Sequence, residues 1–227
     1  MRSTVATKFV MSISGLIMVA FLLVHMYGNL KIFAGQAPDG QWAFDVYAHH
    51  LRVLGEPMLP YGGLLWVTRV VLLVALVAHF SSAFRLWARD KKAVGSGKRY
   101  QKSATVQRSY ASYTMRWGGV VLLLFAIYHI LHFTLGAIAT WEGAATPFER
   151  VVQSFQNPLV LISYIIAMIA LGLHIAHGVW SALATLGANT SVKARRNLTT
   201  LSLIVALVLV VGFLAGPVAI AFGGITL

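Results

Sequence analysis

The chain has 227 residues, of which 58% are hydrophobic and 11% charged, with a mean hydropathy of +0.76 and a formal net charge of +12. Soluble domains carry about 25% charged residues, so this composition excludes an ordinary soluble fold and points to an all-α integral membrane protein. The absence of cysteine excludes disulfides, iron–sulfur clusters, thiol catalysis and covalent c-type haem attachment within this chain.

Five apolar segments are long enough to cross a hydrocarbon core of ~30 Å at ~1.5 Å per residue. The first spans about 9–33 and contains His25. It is longer than a signal-peptide core and no A-x-A cleavage site follows, so it is expected to be a retained span. A loop with the turn Pro38-Asp39-Gly40 comes next, and it carries His49, His50, Arg52 and Glu56. The second span, about 64–86, contains His79; Arg69 near its start can snorkel to the interface. A strongly basic loop follows, broken by Gly95-Ser96-Gly97. It holds Arg89, Lys91, Lys92, Lys98, Arg99, Lys102, Arg108 and Arg116, with Arg85 close by. Such a loop suits a docked soluble subunit or anionic membrane lipid. The third span, about 117–140, contains His129 and His132, and Pro147 marks the break after it. The fourth, about 159–186 after Asn157-Pro158, contains His174 and His177. The fifth, about 198–222, has no ionisable residue and follows Lys193, Arg195 and Arg196. The expected architecture is a single membrane domain over 1–227, with a bundle of the four histidine-bearing helices and a fifth, peripheral helix.

Charge sets the expected orientation. Arg2, Lys8 and the second and fourth loops hold most of the positive charge, whereas the first and third loops hold five of the six acidic residues. The positive-inside rule then places the N-terminus in the cytoplasm and the C-terminus outside.

Ionisable groups inside spans are costly and are functional candidates by default. Apart from Lys31, Arg69 and Arg85 towards span ends, they are here histidines on four of five spans, with no Asp or Glu in any span. Counted from the cytoplasmic end, His25 lies ~24 Å deep and His79 ~10 Å deep. His129 and His132 fall at ~18 and ~22 Å, and His174 and His177 at ~16 and ~12 Å. Two layers result: an outer one joining the first and third spans, and an inner one joining the second and fourth. Four helices giving one imidazole each at two depths is what two bis-histidine haems require. A lone intramembrane histidine is more often a helix–helix hydrogen-bond partner; the joint pattern is what favours ligation. Both members of each i, i+3 pair share a face, so spacing leaves the ligand open, and depth leans slightly to His132 and His177. Small residues (Ser12, Ser14, Gly15, Gly118, Gly119, Gly172, Gly178) would let a macrocycle or a neighbouring backbone approach.

Short motifs add a resemblance. They are Phe21-Leu-Leu-Val-His25 followed by Asn29, Val77-Ala-His79, Ile127-Tyr-His129, and Leu173-His174-x-x-x-Gly178-x-Trp180. In this order across five spans the chain resembles the di-haem cytochrome b membrane anchor of succinate:quinone oxidoreductase and fumarate reductase, the type with a single five-helix subunit. The resemblance implies that His25 and His129 ligate the outer haem b, and His79 and His174 the inner one. It leaves His132 and His177 to a propionate or to packing. It also implies a flavoprotein and an iron–sulfur partner on the cytoplasmic side, a prokaryotic cytoplasmic membrane and a quinone as redox partner. A low-potential quinone such as menaquinone would give coupling to the membrane potential a purpose. Some relatives use a carboxylate near the start of the second span for the quinone. Glu56 is the nearest match, with His49, His50 and Arg52 as further candidates. The subunit itself is expected to do no chemistry on succinate. Two other readings stand beside this one: a di-haem anchor of a hydrogenase or formate dehydrogenase, and a haem-free anchor or transporter.

Overall fold

A computed structural model describes residues 3–94 and 110–227. Arg2, the turn Gly95-Ser96-Gly97 and the basic residues Lys98, Arg99, Lys102 and Arg108 lie outside the described residues. Among those described, the helices are α1 (Thr4–Leu30), α2 (Ala43–Val53), α3 (Gly63–Val94), α4 (Tyr110–His129), α5 (Pro147–Phe155), α6 (Pro158–Thr185) and α7 (Val192–Ala221). Five of them (α1, α3, α4, α6 and α7) are long and apolar enough to cross a membrane. Large apolar side chains line their outward faces: Leu73 is 61% exposed, Leu124 61% and Leu207 64%. Water would penalise such a surface; hydrocarbon matches it, and helices satisfy their own backbone groups there.

The helix starts follow local chemistry. Ser3, Asn157 and Ser191 accept hydrogen bonds from backbone amides of the first turns of α1, α6 and α7, which satisfies donors that have no partner inside the helix. Pro158 stands in the first turn of α6, where its missing N–H is no loss.

Helices α1 and α3 pack together, as do α4 and α6, and α1 also packs on α6. These four carry the intramembrane histidines, and α7 lies against α6 and α1 on the flank. Glycines permit the closest approaches. A Cβ on Gly172 of α6 would lie 2.8 Å from Val210 of α7, so a larger residue would push the two helices apart.

Two features depart from the sequence reading. The third span does not run to 140. Helix α4 continues through one π turn, Ile130–Thr134, and stops. Gly136, at φ +65°, takes the left-handed conformation that glycine tolerates without a Cβ clash, and the chain folds back so that Thr140 and Trp141 lie over His132. The second departure is that both loops at this end contain helices. Pro147, correctly a break, is the first residue of α5, whose start carries a reciprocal Thr146–Glu149 capping box. Helix α2 holds His49, His50 and Arg52.

Helices α2 and α5 make a roof over this end of the bundle. Trp42 stacks on Phe148 at 3.9 Å between ring centres, and the Phe148 amide donates to Asp45 at 2.8 Å. Phe148, Val152 and Phe155 are buried with Ile32, Val160, Tyr164 and Ile220. The opposite end is basic. There Arg89 donates to Thr4 at 2.9 Å, Arg116 pairs with Asp90 at 2.5 Å, and Lys91 and Arg116 lie over the Trp87 ring.

Candidate functional site

At the basic end, His79 of α3 and His174 of α6 come together with ring centres 6.2 Å apart and planes inclined by 62°. His79 Nδ1 lies 3.0 Å from the Met11 carbonyl. A carbonyl only accepts, so Nδ1 carries the proton and Nε2 keeps its lone pair. The ring is pressed against α1 at Gly15, where a Cβ would sit 3.2 Å from His79 Cε1. His174 lies beside α4 at Gly119, where a Cβ would make an ordinary contact 3.6 Å from its Cε1. Its Nδ1 is buried without a hydrogen-bond partner. Its ring also borders a cleft of about 220 Å³ between α4 and α6, lined by Thr114, Gly118, Val121, Ile169 and Leu173.

At the roofed end, His25 of α1 and His129 of α4 lie 5.9 Å apart with their planes at 81°. His25 stacks on Phe21 at 5.3 Å and meets Phe213 of α7 at 5.7 Å. His129 Nδ1 is 3.1 Å from the Tyr164 hydroxyl. As the depth reading expects, the first and third spans bring histidines together at one level, the roofed end, and the second and fourth at another, the basic end.

Three helices give the same separation between the layers. On α1, Gly15 marks the first level and His25 the second; on α4, Gly119 and His129; on α6, His174 and Tyr164. Each interval is ten residues, or ~15 Å along a helix axis.

The second histidine of each i, i+3 pair has other neighbours. His132 is fully buried, and both its nitrogens are engaged: Nδ1 by the Tyr164 hydroxyl at 3.3 Å, Nε2 by Thr140 at 3.1 Å and Ser154 at 3.3 Å. His177 packs on Trp180 at 6.0 Å. The four quinone candidates do not converge. His49 and His50 are exposed on α2, Glu56 is exposed beyond it, and Arg52 donates back to the Ala48 carbonyl of its own helix at 2.6 Å.

Among the described residues no cluster of three or more His, Cys, Asp or Glu could hold a metal ion. A haem iron needs only two axial ligands from the protein, because the macrocycle supplies the other four. With metal–nitrogen bonds of about 2 Å, two axial imidazoles place their ring centres about 6 Å apart, and both histidine pairs meet that spacing. The residues present fit two such groups.

Tyr164, Thr140 and Ser154 escaped the sequence reading. Tyr164 carried a faint signal, as a hydroxyl inside a span. Thr140 and Ser154 carried none, since only the turn at Gly136 and helix α5 bring them to His132.

Searches of curated proteins and of solved structures found no significant match. The profile of the succinate dehydrogenase/fumarate reductase transmembrane subunit family matches residues 98–213, just over half of the chain. The matched segment includes His129, His132, Tyr164, His174 and His177 and excludes His25 and His79. With five apolar helices and this match, the chain belongs to the succinate dehydrogenase/fumarate reductase transmembrane subunit family.

Proposed function

We propose that this subunit is a di-haem cytochrome b anchor that conducts electrons between an iron–sulfur partner at its basic end and a membrane quinone at its roofed end. The observation that carries the reading is the meeting of four intramembrane histidines, from four different spans, as two pairs at haem-ligand spacing. The ligands are His79 and His174 at the basic end and His25 and His129 at the roofed end. His132 already uses both nitrogens in hydrogen bonds, which supports its neighbour His129 as the ligand. Bound there, the two haems would supply one-electron carriers at two depths of the membrane.

The protein's own contributions are positional. Met11 fixes the tautomer of His79, and Gly15 and Gly119 let both imidazoles of that pair lie close to helix backbones. The long apolar spans keep water away from both pairs. Lys8, Arg85, Arg89, Lys91, Lys92 and Arg116 gather at the end that we assign to the cytoplasm and to the flavoprotein and iron–sulfur partners. Charge transfer across the whole membrane works with or against ~2.3 kcal/mol per 100 mV, which suits a low-potential acceptor such as menaquinone. We place the quinone beside the roofed-end pair, near the start of the second span, with His49, His50, Arg52 and Glu56 as its candidate polar groups.

The deciding experiment is purification of the intact complex from membranes, with haem extraction by acid–acetone and identification of the accompanying subunits. Two extractable haems per chain, a flavoprotein and an iron–sulfur protein are expected. One haem or none, or neither partner, would refute the reading. Orientation is tested separately by Gly40→Cys and Ser96→Cys, which should label from opposite faces of sealed vesicles; labelling of both from one face would reverse the charge argument.

A further inference from the structure

His129 and His132, the i, i+3 pair of the third span, touch one hydroxyl. Tyr164 of α6 lies 3.1 Å from His129 Nδ1 and 3.3 Å from His132 Nδ1. Beyond His132 the contacts continue: Nε2 meets Thr140 Oγ1 at 3.1 Å, and Thr140 donates to Ser154 Oγ at 3.2 Å. His132 and Ser154 are wholly buried, so their polar atoms must find partners within the chain, whereas Thr140 is exposed.

That requirement orders the hydrogens along His129, Tyr164 and His132. If His129 ligates through Nε2, its Nδ1 bears the hydrogen and donates to the Tyr164 oxygen. A phenol has one hydrogen, so Tyr164 donates it to His132 Nδ1. His132 then carries its own hydrogen on Nε2 and donates to Thr140, whose hydroxyl donates to Ser154. In this arrangement no donor faces a donor, and the hydrogens of His129, Tyr164 and His132 follow one from another.

We propose that Tyr164, clamped by His132, is a positioning residue for the roofed-end haem: its hydroxyl holds His129 in the tautomer and rotation that present Nε2 to the iron. The inference rests on the di-haem reading and adds residues that the histidine pattern alone does not reveal. The basic-end pair has no counterpart, since His79 is oriented by a main-chain carbonyl and His174 Nδ1 has no partner. Hydrogen-bond partners behind a ligating histidine fix its orientation and raise its basicity. A more basic imidazole favours ferric iron, so removing the acceptor should raise the potential of the roofed-end haem alone.

The test uses the purified complex and two readouts independent of turnover: a redox titration resolving both haems, and the low-spin EPR signal, which reports the angle between axial imidazole planes. Tyr164→Phe keeps the ring and removes the hydroxyl. It is expected to shift the ferric–ferrous balance of the roofed-end haem about tenfold, equivalent to about 59 mV upward for a one-electron couple, and to alter that haem's EPR signal. The basic-end haem should stay unchanged. A second pair of variants covers a failure of Tyr164→Phe to assemble. His132→Asn keeps an acceptor near the Nδ1 position and should preserve potential and signal, whereas His132→Leu removes it and should reproduce the Tyr164→Phe shift. An unmoved potential and signal in Tyr164→Phe, equal shifts of both haems, or identical behaviour of His132→Asn and His132→Leu would overturn the inference. Wild-type complex without two haems would instead defeat the functional reading beneath it.

Discussion

The two histidine layers are held by different means. At the basic end the means are steric and main-chain: two glycines without side chains and one carbonyl. At the roofed end they are side-chain bonds, with Tyr164, His132, Thr140 and Ser154 behind the ring and α2 and α5 above. At Gly15 this layer has little room for change, because a Cβ there would crowd the His79 ring at 3.2 Å. A layer built on hydrogen bonds can be adjusted member by member, at a cost of about 1–3 kcal/mol for each buried polar group left unpaired. The first kind fixes a position, while the second can also tune the imidazole that it holds.

The largest effect expected is the selective loss of a whole haem. His79→Ala should remove the basic-end haem and His25→Ala the roofed-end one, each leaving an iron without an axial ligand. His129→Ala and His174→Ala should match them, while His132→Ala and His177→Ala retain more haem. Spectra with the reverse order would exchange the roles within each i, i+3 pair. Next comes the glycine cradle. Gly15→Leu should weaken haem retention at the basic end by about ten- to a hundredfold, with the roofed-end spectrum intact; loss of both haems together would mean that the layers are not independent. The smallest effects concern the quinone. Glu56→Gln, His49→Ala and His50→Ala should slow quinone turnover several-fold, with both haem spectra and haem reduction by the soluble partners unchanged. Normal kinetics in all three would move the search for the quinone to the basic end.

The spans were legible because hydrocarbon imposes one simple demand, a run of apolar residues about 20 long; Leu64 to Leu86, for instance, falls inside α3. The layers were legible too. Helical rise converts residue number into depth, and the first span does meet the third, and the second the fourth, through histidines, but through His129 and His174 and not His132 and His177, to which depth leaned. The end of the third span was not. Residues up to Thr140 are apolar enough to continue a helix, but Gly136 turns the chain first. Nor was the roof. Helix α5 is nine residues long and amphipathic, so hydropathy averaged over a span-length window passes over it, and its apolar face has meaning only against Ile32, Val160 and Ile220.

By itself the sequence determined how many times the chain crosses, which end is basic, which spans carry imidazole and at what depth, since all of these follow from composition and from a fixed rise per residue. Only the tertiary structure decided which imidazole faces which, that His132 spends both nitrogens on Tyr164 and Thr140, and that Gly15 and Gly119 are places for rings rather than for other helices. Rotation about a helix axis and the path of a turn are set by contacts between segments far apart in the chain. No local pattern of residues encodes them.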